Sequence, residues 1–240
     1  DRLEGAEELA SARFRWKAPI DEEAWRAAHN VRHHQYTNVA GRDPDLDFGV
    51  LRLSESVPHR WHHVFQPVSN VGSWLFFSTA INMHATGVLE LLLSKREGTV
   101  LPDRSRKSAL RASRRFFGKA LRYYGREFVV FPALAGPFFW KTLFGNVLSE
   151  GIRDVYAGAV IYCGHVGGRE YAHSTRAGGR ARFYAMQVES SCNFEVPLIL
   201  SILAGGLDRQ IEHHLFPRLP PNRLREISPR VRQICEEHGV

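Results

Sequence analysis

Residues 29–34 read His29-Asn30-Val31-Arg32-His33-His34. On an α-helix, positions i and i+4 lie about 40° apart, and i+5 sits about 100° further round. His29 and His33 are thus placed to grip one metal ion. His34 reaches sideways, to the flank of that ion or to a second one. Neutral imidazole is the commonest protein metal ligand; the alternative is a solvated polar helix end. A second group stands near the C-terminus: Gln210-Ile211-Glu212-His213-His214-Leu215-Phe216-Pro217. Gln210, His213 and His214 fall at i, i+3 and i+4 and share one helical face, and Pro217 ends that helix. Five imidazoles exceed the four ligands usual in a structural zinc site. They suit two metals, or one site with extra ligands. Cys163, Cys192 and Cys235 are scattered and form no CxxC pair, which argues against a thiolate site and a disulfide framework.

The elements that must position these residues are read from hydrophobic patterning. Of the 240 residues, 44% are hydrophobic, and they are bunched. A helical bilayer span needs about 20 apolar residues. Val68–Leu93 qualifies by length, although Asn70, Asn82, His84 and Glu90 interrupt it. Phe128–Leu148 is a second candidate, and the shorter Val155–Val166 is a third span or a helix lying in the interface. The expected membrane-embedded segments are therefore about 64–93 and 128–166. Ser94–Arg126, between them, holds eleven Lys or Arg and two acids. Leu110, Phe117, Leu121, Tyr124 and Phe128 recur there at helical spacing. That pattern reads as a basic amphipathic helix on an anionic membrane surface. The flanking apolar segments favour membrane over nucleic acid, and the basic excess places this loop in the cytoplasm. Both histidine groups can share that side if 64–93 is a hairpin of half-spans bent near Asn82, or dips into one leaflet. A simple crossing is the other possibility. The fold class is all-α, an integral membrane helical bundle with a cytoplasmic helical cap. It forms one domain over 1–240, the cap being about 14–63 and 167–240. Gly164–Gly179 reads as a loop, and Asp1–Ala10, polar and acidic, shows no signal peptide.

Other polar clusters compete for a role. His59-Arg60-Trp61-His62-His63 spells a further HxxHH, but its Arg and Trp suit an interface anchor, and it is read as non-ligating. His84 is open. Asp43, Asp45 and Asp47 are either partners of the ligands or, more simply, a turn built on Asp-Pro.

HNVRHH and QIEHHLFP together resemble the second and third histidine boxes of membrane fatty acid desaturases, the third in its QxxHH form. The likeness is to bacterial acyl-CoA and acyl-lipid desaturases. It extends through CGHVG (Cys163–Gly167), SCNFE (Ser191–Glu195) and the C-terminal NRLREISPRVRQICEEHGV. The resemblance implies a non-haem di-iron centre, two Fe ions held mostly by histidine, with O2 as co-substrate. The implied reaction, part of lipid metabolism, leaves a cis double bond in a fatty acyl chain. A fatty acyl hydroxylase is the alternative on the same scaffold.

By position, the resemblance makes His29, His33, His34, His213 and His214 ligands, with His165 of CGHVG as a further one. Asn193 corresponds to an asparagine that approaches the metal, against a plain capping role. Gln210 is a weak ligand or a neighbour of the ligands. Glu212 either orients a ligand imidazole or is solvated. The implied partners are a fatty acyl-CoA or acyl-lipid substrate, membrane lipid, and a separate electron donor such as ferredoxin with its reductase. No nucleic acid is expected. The expected location is the bacterial inner membrane, with the site on the cytoplasmic side. The first box, HxxxH, finds no counterpart in Asp1–Ala28, which contains no histidine. The chain is therefore expected to lack the family's N-terminal third, which leaves an inactive membrane remnant as another alternative.

Overall fold

The computed structural model describes residues 15–93, 100–101, 103–165, 168–171 and 179–240. Asp1–Ala10 and most of the Gly164–Gly179 loop lie outside them. The described residues are mainly helical, with two isolated β-bridges and no strand, as the all-α reading expects. The chain divides into two compact units and passes between them after His33, Asp43 and Gly158, so His33 and His34 belong to different units.

The first unit comprises Arg15–His33 and Pro44–Gly158. Helix α1 (Glu22–Trp25) starts at Asp21, whose Oδ1 accepts the Ala24 N–H at 2.9 Å. Glu22 and Glu23 in its first turn complement the helix dipole. From Arg26 to His33 the hydrogen bonding widens to the π-helical pattern. This corrects the plain α-helix assumed for HNVRHH. An i→i+5 turn holds more residues, so the position five along swings back towards the face of the first. Such bulges recur at functional sites. Ala24, Ala28 and Ala85 let the helical run pack closely on the helix that carries Ala85.

The segment expected as one span, 64–93, is three helices: α2 (Gln66–Leu75), α3 (Phe77–Thr86) and α4 (Val88–Leu92). The breaks are at Phe76 and Gly87, not at Asn82. Gly87 has φ +83°, and the Leu101 side chain occupies the space a Cβ would need. Asn82 lies inside α3, fully buried, and its Oδ1 accepts the Asp21 N–H at 3.0 Å. Glu90 is buried too, accepting from the Val100 and Leu101 N–H groups at 2.8 and 3.0 Å. These polar contacts explain why the apolar run is interrupted.

Helix α5 (Arg106–Gly125) is capped by Ser105. It continues through Arg126–Val130 and Phe131–Leu134, turns at Gly136–Phe138 and returns as α6 (Phe139–His165). The two legs are tied by polar side chains. Tyr123 donates to Glu150 at 2.5 Å, and Arg153 donates to Tyr123 at 2.7 Å and to Glu150 at 2.5 Å. Val155–Val166, expected as a separate span, falls largely within the end of α6. No described helix is long and apolar enough to cross a membrane, which corrects the expectation that 64–93 and 128–166 supply transmembrane helices. The hairpin exposes its apolar residues instead: Leu134 is 79% exposed and Trp140 76%.

The second unit comprises His34–Asp43 and, from Ala159 to Val240, the described residues. It carries α7 (Gly179–Glu189), α8 (Leu198–Leu203), α9 (Gln210–Leu215) and α10 (Pro221–His238). Val39, Tyr171 and Met186 form a small core, and Val39 bridges Tyr171. Arg209 clamps Glu195 through two bonds of 2.8 and 3.1 Å, fixing the entry into α9. Helix α9 ends at Leu215, just before Phe216-Pro217, as the proline requires.

Candidate metal centre

In the first unit, His29 and His33 stack with ring centroids 5.0 Å apart, and Trp25 stacks on His29 at 4.3 Å. Asp45 stands at the centre of the group. Its Oδ2 lies 3.4 Å from His33 Nδ1 and 3.9 Å from His29 Nδ1, and its Oδ1 lies 3.4 Å from His84 Nε2. Burial alone would push the Asp45 carboxyl up. The His33 charge, with hydrogen bonding to His29 and His84, outweighs it and holds the group well below the usual carboxylate range. The Asp-Pro turn expected from the sequence is present, as a 3-10 turn at Pro44–Leu46. It does more than turn the chain: it delivers a carboxylate to three imidazoles. His29, His33 and Asp45 offer ligand atoms within 4.8 Å of one another. His84, stacked on Phe48 at 4.3 Å, is brought to the same carboxylate. Asp45 was one of three aspartates that the sequence offered as partners of the ligands, whereas His84 stood out only as a polar interruption of an apolar run, because α3 supplies it from far along the chain.

In the second unit, His34, His165, His213 and His214 come together. The His34 ring lies 4.8 Å from that of His213 and 4.6 Å from that of His214. His165 donates from Nδ1 to the Ile161 carbonyl at 2.8 Å. His214 donates from Nδ1 towards Gln187 Oε1 and Thr37 Oγ1, each at 3.2 Å. Both tautomers are thereby set, with the lone pair on Nε2. These two Nε2 atoms face each other at 3.4 Å. Two lone pairs at that distance repel unless a proton or a cation lies between them. Two nitrogens about 2.1 Å from one ion, as imidazoles bind, would subtend roughly 108° at this separation. The donor set thus fits a first-row divalent ion, although imidazole alone does not distinguish iron from zinc or copper.

The neighbours of these rings differ from simple expectation. Gln210 is buried; its Nε2 approaches His165 Nε2 at 3.2 Å, while its Oε1 has no partner among the described residues. Glu212 is 1% exposed, so the solvated reading is overturned. Asn193 donates to Glu212 at 2.9 Å and accepts the Ile211 N–H at 3.0 Å. The structure therefore places Asn193 and Glu212 as a pair that anchors the first turn of α9. Gln187, buried at 1%, was not found from the sequence, because it belongs to no motif. It accepts from the Thr37 hydroxyl at 3.0 Å and donates to the His34 carbonyl at 3.2 Å.

The further HxxHH group has a different setting. His62 and His63 both direct Nε2 to the Gly49 carbonyl, at 2.8 and 3.3 Å, and His63 Nδ1 accepts the Arg60 N–H at 3.0 Å. Backbone groups take up both nitrogens of His63, as a structural histidine requires.

A sequence model of a family described as fatty acid desaturase matches residues 9–240. The chain is 32% identical over 240 residues to the NADPH-dependent stearoyl-CoA 9-desaturase of Mycobacterium tuberculosis, covering 97% of this chain and 54% of that protein. It is 30% identical over 223 residues to the acyl-lipid (8-3)-desaturase of Physcomitrium patens, covering 90% and 45%. To the sn-1 linoleoyl-lipid 6-desaturase of Arthrospira platensis it is 26% identical over 226 residues, covering 90% and 58%. The chain spans about half the length of these curated relatives. No solved structure matches it.

Proposed function

The chain belongs to the fatty acid desaturase family, and we propose that the whole protein introduces a cis double bond into a fatty acyl chain, using O2 and two electrons. The observation that carries this reading is the pair of imidazoles, His165 and His214, whose Nδ1 atoms are held by acceptors while their Nε2 atoms converge. His29, His33, His34, His165, His213 and His214 are the proposed ligands of two iron ions. Asn193 contributes through the second lone pair of its Oδ1. Bound iron would supply O2 activation, which an unactivated methylene needs because it offers no acidic proton. The protein's share is placement. Asp45 orients His29 and His33. Gln187 and Thr37 hold the His214 tautomer, Ile161 holds that of His165, and Glu212 with Asn193 fixes α9.

We place the protein in the membrane through the apolar end of the α5–α6 hairpin. Phe131, Leu134, Phe138, Trp140 and Phe144 are exposed there, a surface that soluble monomers rarely carry. The bacterial inner membrane, with the histidines on the cytoplasmic side, agrees with the basic α5. The acyl carrier is CoA or a lipid, matching the names of the relatives. Electrons come from a separate donor, ferredoxin or a similar protein with its reductase, and the name of the Mycobacterium tuberculosis relative points to NADPH as their source.

The test is gas chromatography of fatty acids from a bacterial host expressing the whole protein. A new cis-unsaturated acid, lost in His214→Ala, is the expected result. A hydroxy acid would establish the hydroxylase instead, and no new product would overturn the reading.

A further inference from the structure

Helix α5 has three distinct sectors. Ser108, Ala112, Lys119, Ala120 and Tyr123 are buried and face the core. Lys107, Arg111, Arg114, Arg115 and Arg122 follow one another within about 100° of the helix surface, counted at 100° per residue. Leu110, Phe117 and Leu121, at 52%, 54% and 69% exposed, occupy the next roughly 40°. The cationic sector, with Leu110 and Asp21, lines a cavity of about 420 Å³, within the size range of small-ligand sites. Arg115 pairs with Glu23 and Lys119 with Glu22. Lys107, Arg111, Arg114 and Arg122 form no ion pair among the described residues. Asp21 in the lining, Glu23 on Arg115 and Asp103 near Arg111 offset only part of the charge of these cations, so an anion entering the cavity is favoured.

We propose that this cavity binds the phosphate of an anionic phospholipid, with the lipid's acyl chains lying along Leu110, Phe117 and Leu121. The inference rests on the membrane placement proposed above. The exposed apolar sector beside the cationic one decides between occupants. A soluble acidic protein would match the charge but leave the apolar strip in water, whereas a lipid satisfies both. Arginine forks suit phosphate oxygens. Asp21 Oδ1 is engaged by the Ala24 N–H, and its other oxygen is suited to accept from a headgroup hydroxyl, which favours phosphatidylglycerol.

The test is native mass spectrometry of the full chain purified in non-ionic detergent, with phosphatidylglycerol and phosphatidylcholine added in equal amount. The expected result is one retained phosphatidylglycerol, at least tenfold more occupied than phosphatidylcholine. The triple variant Arg111→Gln, Arg114→Gln, Arg122→Gln should reduce its retention to the phosphatidylcholine level. Arg230→Gln with Arg232→Gln, on α10, should leave it unchanged. Equal retention of the two lipids, or full retention by the triple variant, would overturn the site. Adenosine diphosphate separates lipid from soluble phosphate. If it displaces phosphatidylglycerol while Leu110→Ser and Leu121→Ser change nothing, the cavity serves a soluble phosphate and the proposal fails. Carbonate washing of the host membranes is read in parallel. A chain released into the aqueous phase refutes the membrane placement itself, whereas a retained chain that ignores phosphatidylglycerol refutes only the lipid site.

Discussion

Gln187→Leu tests whether the outer contacts of the histidines set the metal site. The side chain makes three polar contacts: it accepts from Thr37 and from His214 Nδ1, and it donates to the His34 carbonyl. Leucine has similar bulk and none of these groups. His214 Nδ1–H keeps Thr37 Oγ1 at 3.2 Å. The Thr37 hydroxyl proton and the His34 carbonyl each lose this partner. A buried polar group left unsatisfied costs about 1–3 kcal/mol, giving roughly 2–6 kcal/mol for two. The apolar side chain recovers about 1–2 kcal/mol of this. A net loss of about 1–4 kcal/mol is a large share of a stability of order 5–15 kcal/mol. For a chain of this size it lowers Tm by about 2–16 °C. With the His214 tautomer less firmly held, iron affinity should fall about 10–100-fold, the usual effect of losing such a partner. Gln187→Glu separates the two consequences. It keeps an acceptor for His214 and Thr37 but sets a carboxylate against the His34 carbonyl. It should therefore regain iron affinity without regaining stability. Calorimetry gives Tm, and iron titration well below Tm gives affinity. If Gln187→Leu binds iron like the parent, or Gln187→Glu binds no better than Gln187→Leu, the tautomer argument is refuted.

Asp45→Asn should lower iron binding at least tenfold, whereas His63→Ala should cost about 1–3 kcal/mol of stability and leave iron content unchanged; metal analysis beside thermal melting distinguishes them. Gly87→Ala should destabilise by about 1–3 kcal/mol, because φ is +83° and Leu101 fills the Cβ position; a denaturant titration with unchanged m would confirm it. Burial is the largest single influence on the Glu22 carboxyl and pushes it up, but the Lys119 hydrogen bond and charge together with the backbone N–H groups of Trp16 and Glu22 outweigh it and hold the group below its usual 4.5. A lowered carboxyl stabilises the fold above its unfolded pKa and ceases to do so as pH falls through the folded value. Stability should therefore decline below about pH 4.5, and Glu22→Gln should flatten that decline; equal acid profiles would reject the pairing. Gly164→Ala should disturb the His165 contact, because a Cβ there meets the Gln210 side chain within about 3 Å; altered iron affinity at preserved helicity is the expected outcome.

The sequence by itself determined the family and pointed to the six imidazoles proposed as ligands. Metal ligands are few in type, and a helix fixes their spacing, so HNVRHH and QIEHH carry their chemistry locally. It determined the basic α5 for the same reason, since a period of about 3.6 residues is a local property. Two things were decided only by tertiary structure. One is the break of 64–93 at Phe76 and Gly87, since Leu101, a residue from a later loop, fills the space beside Gly87. The other is the set of groups that orient the ligands. Asp45 looked like a turn residue, Glu212 like a solvated acid and Gln187 like any helical glutamine. Each acquires its role from partners far away in sequence, such as His84 for Asp45 and Thr37 for Gln187. A burial that depends on distant segments leaves no periodic trace in the chain, whereas a ligand's chemical type is written at its own position.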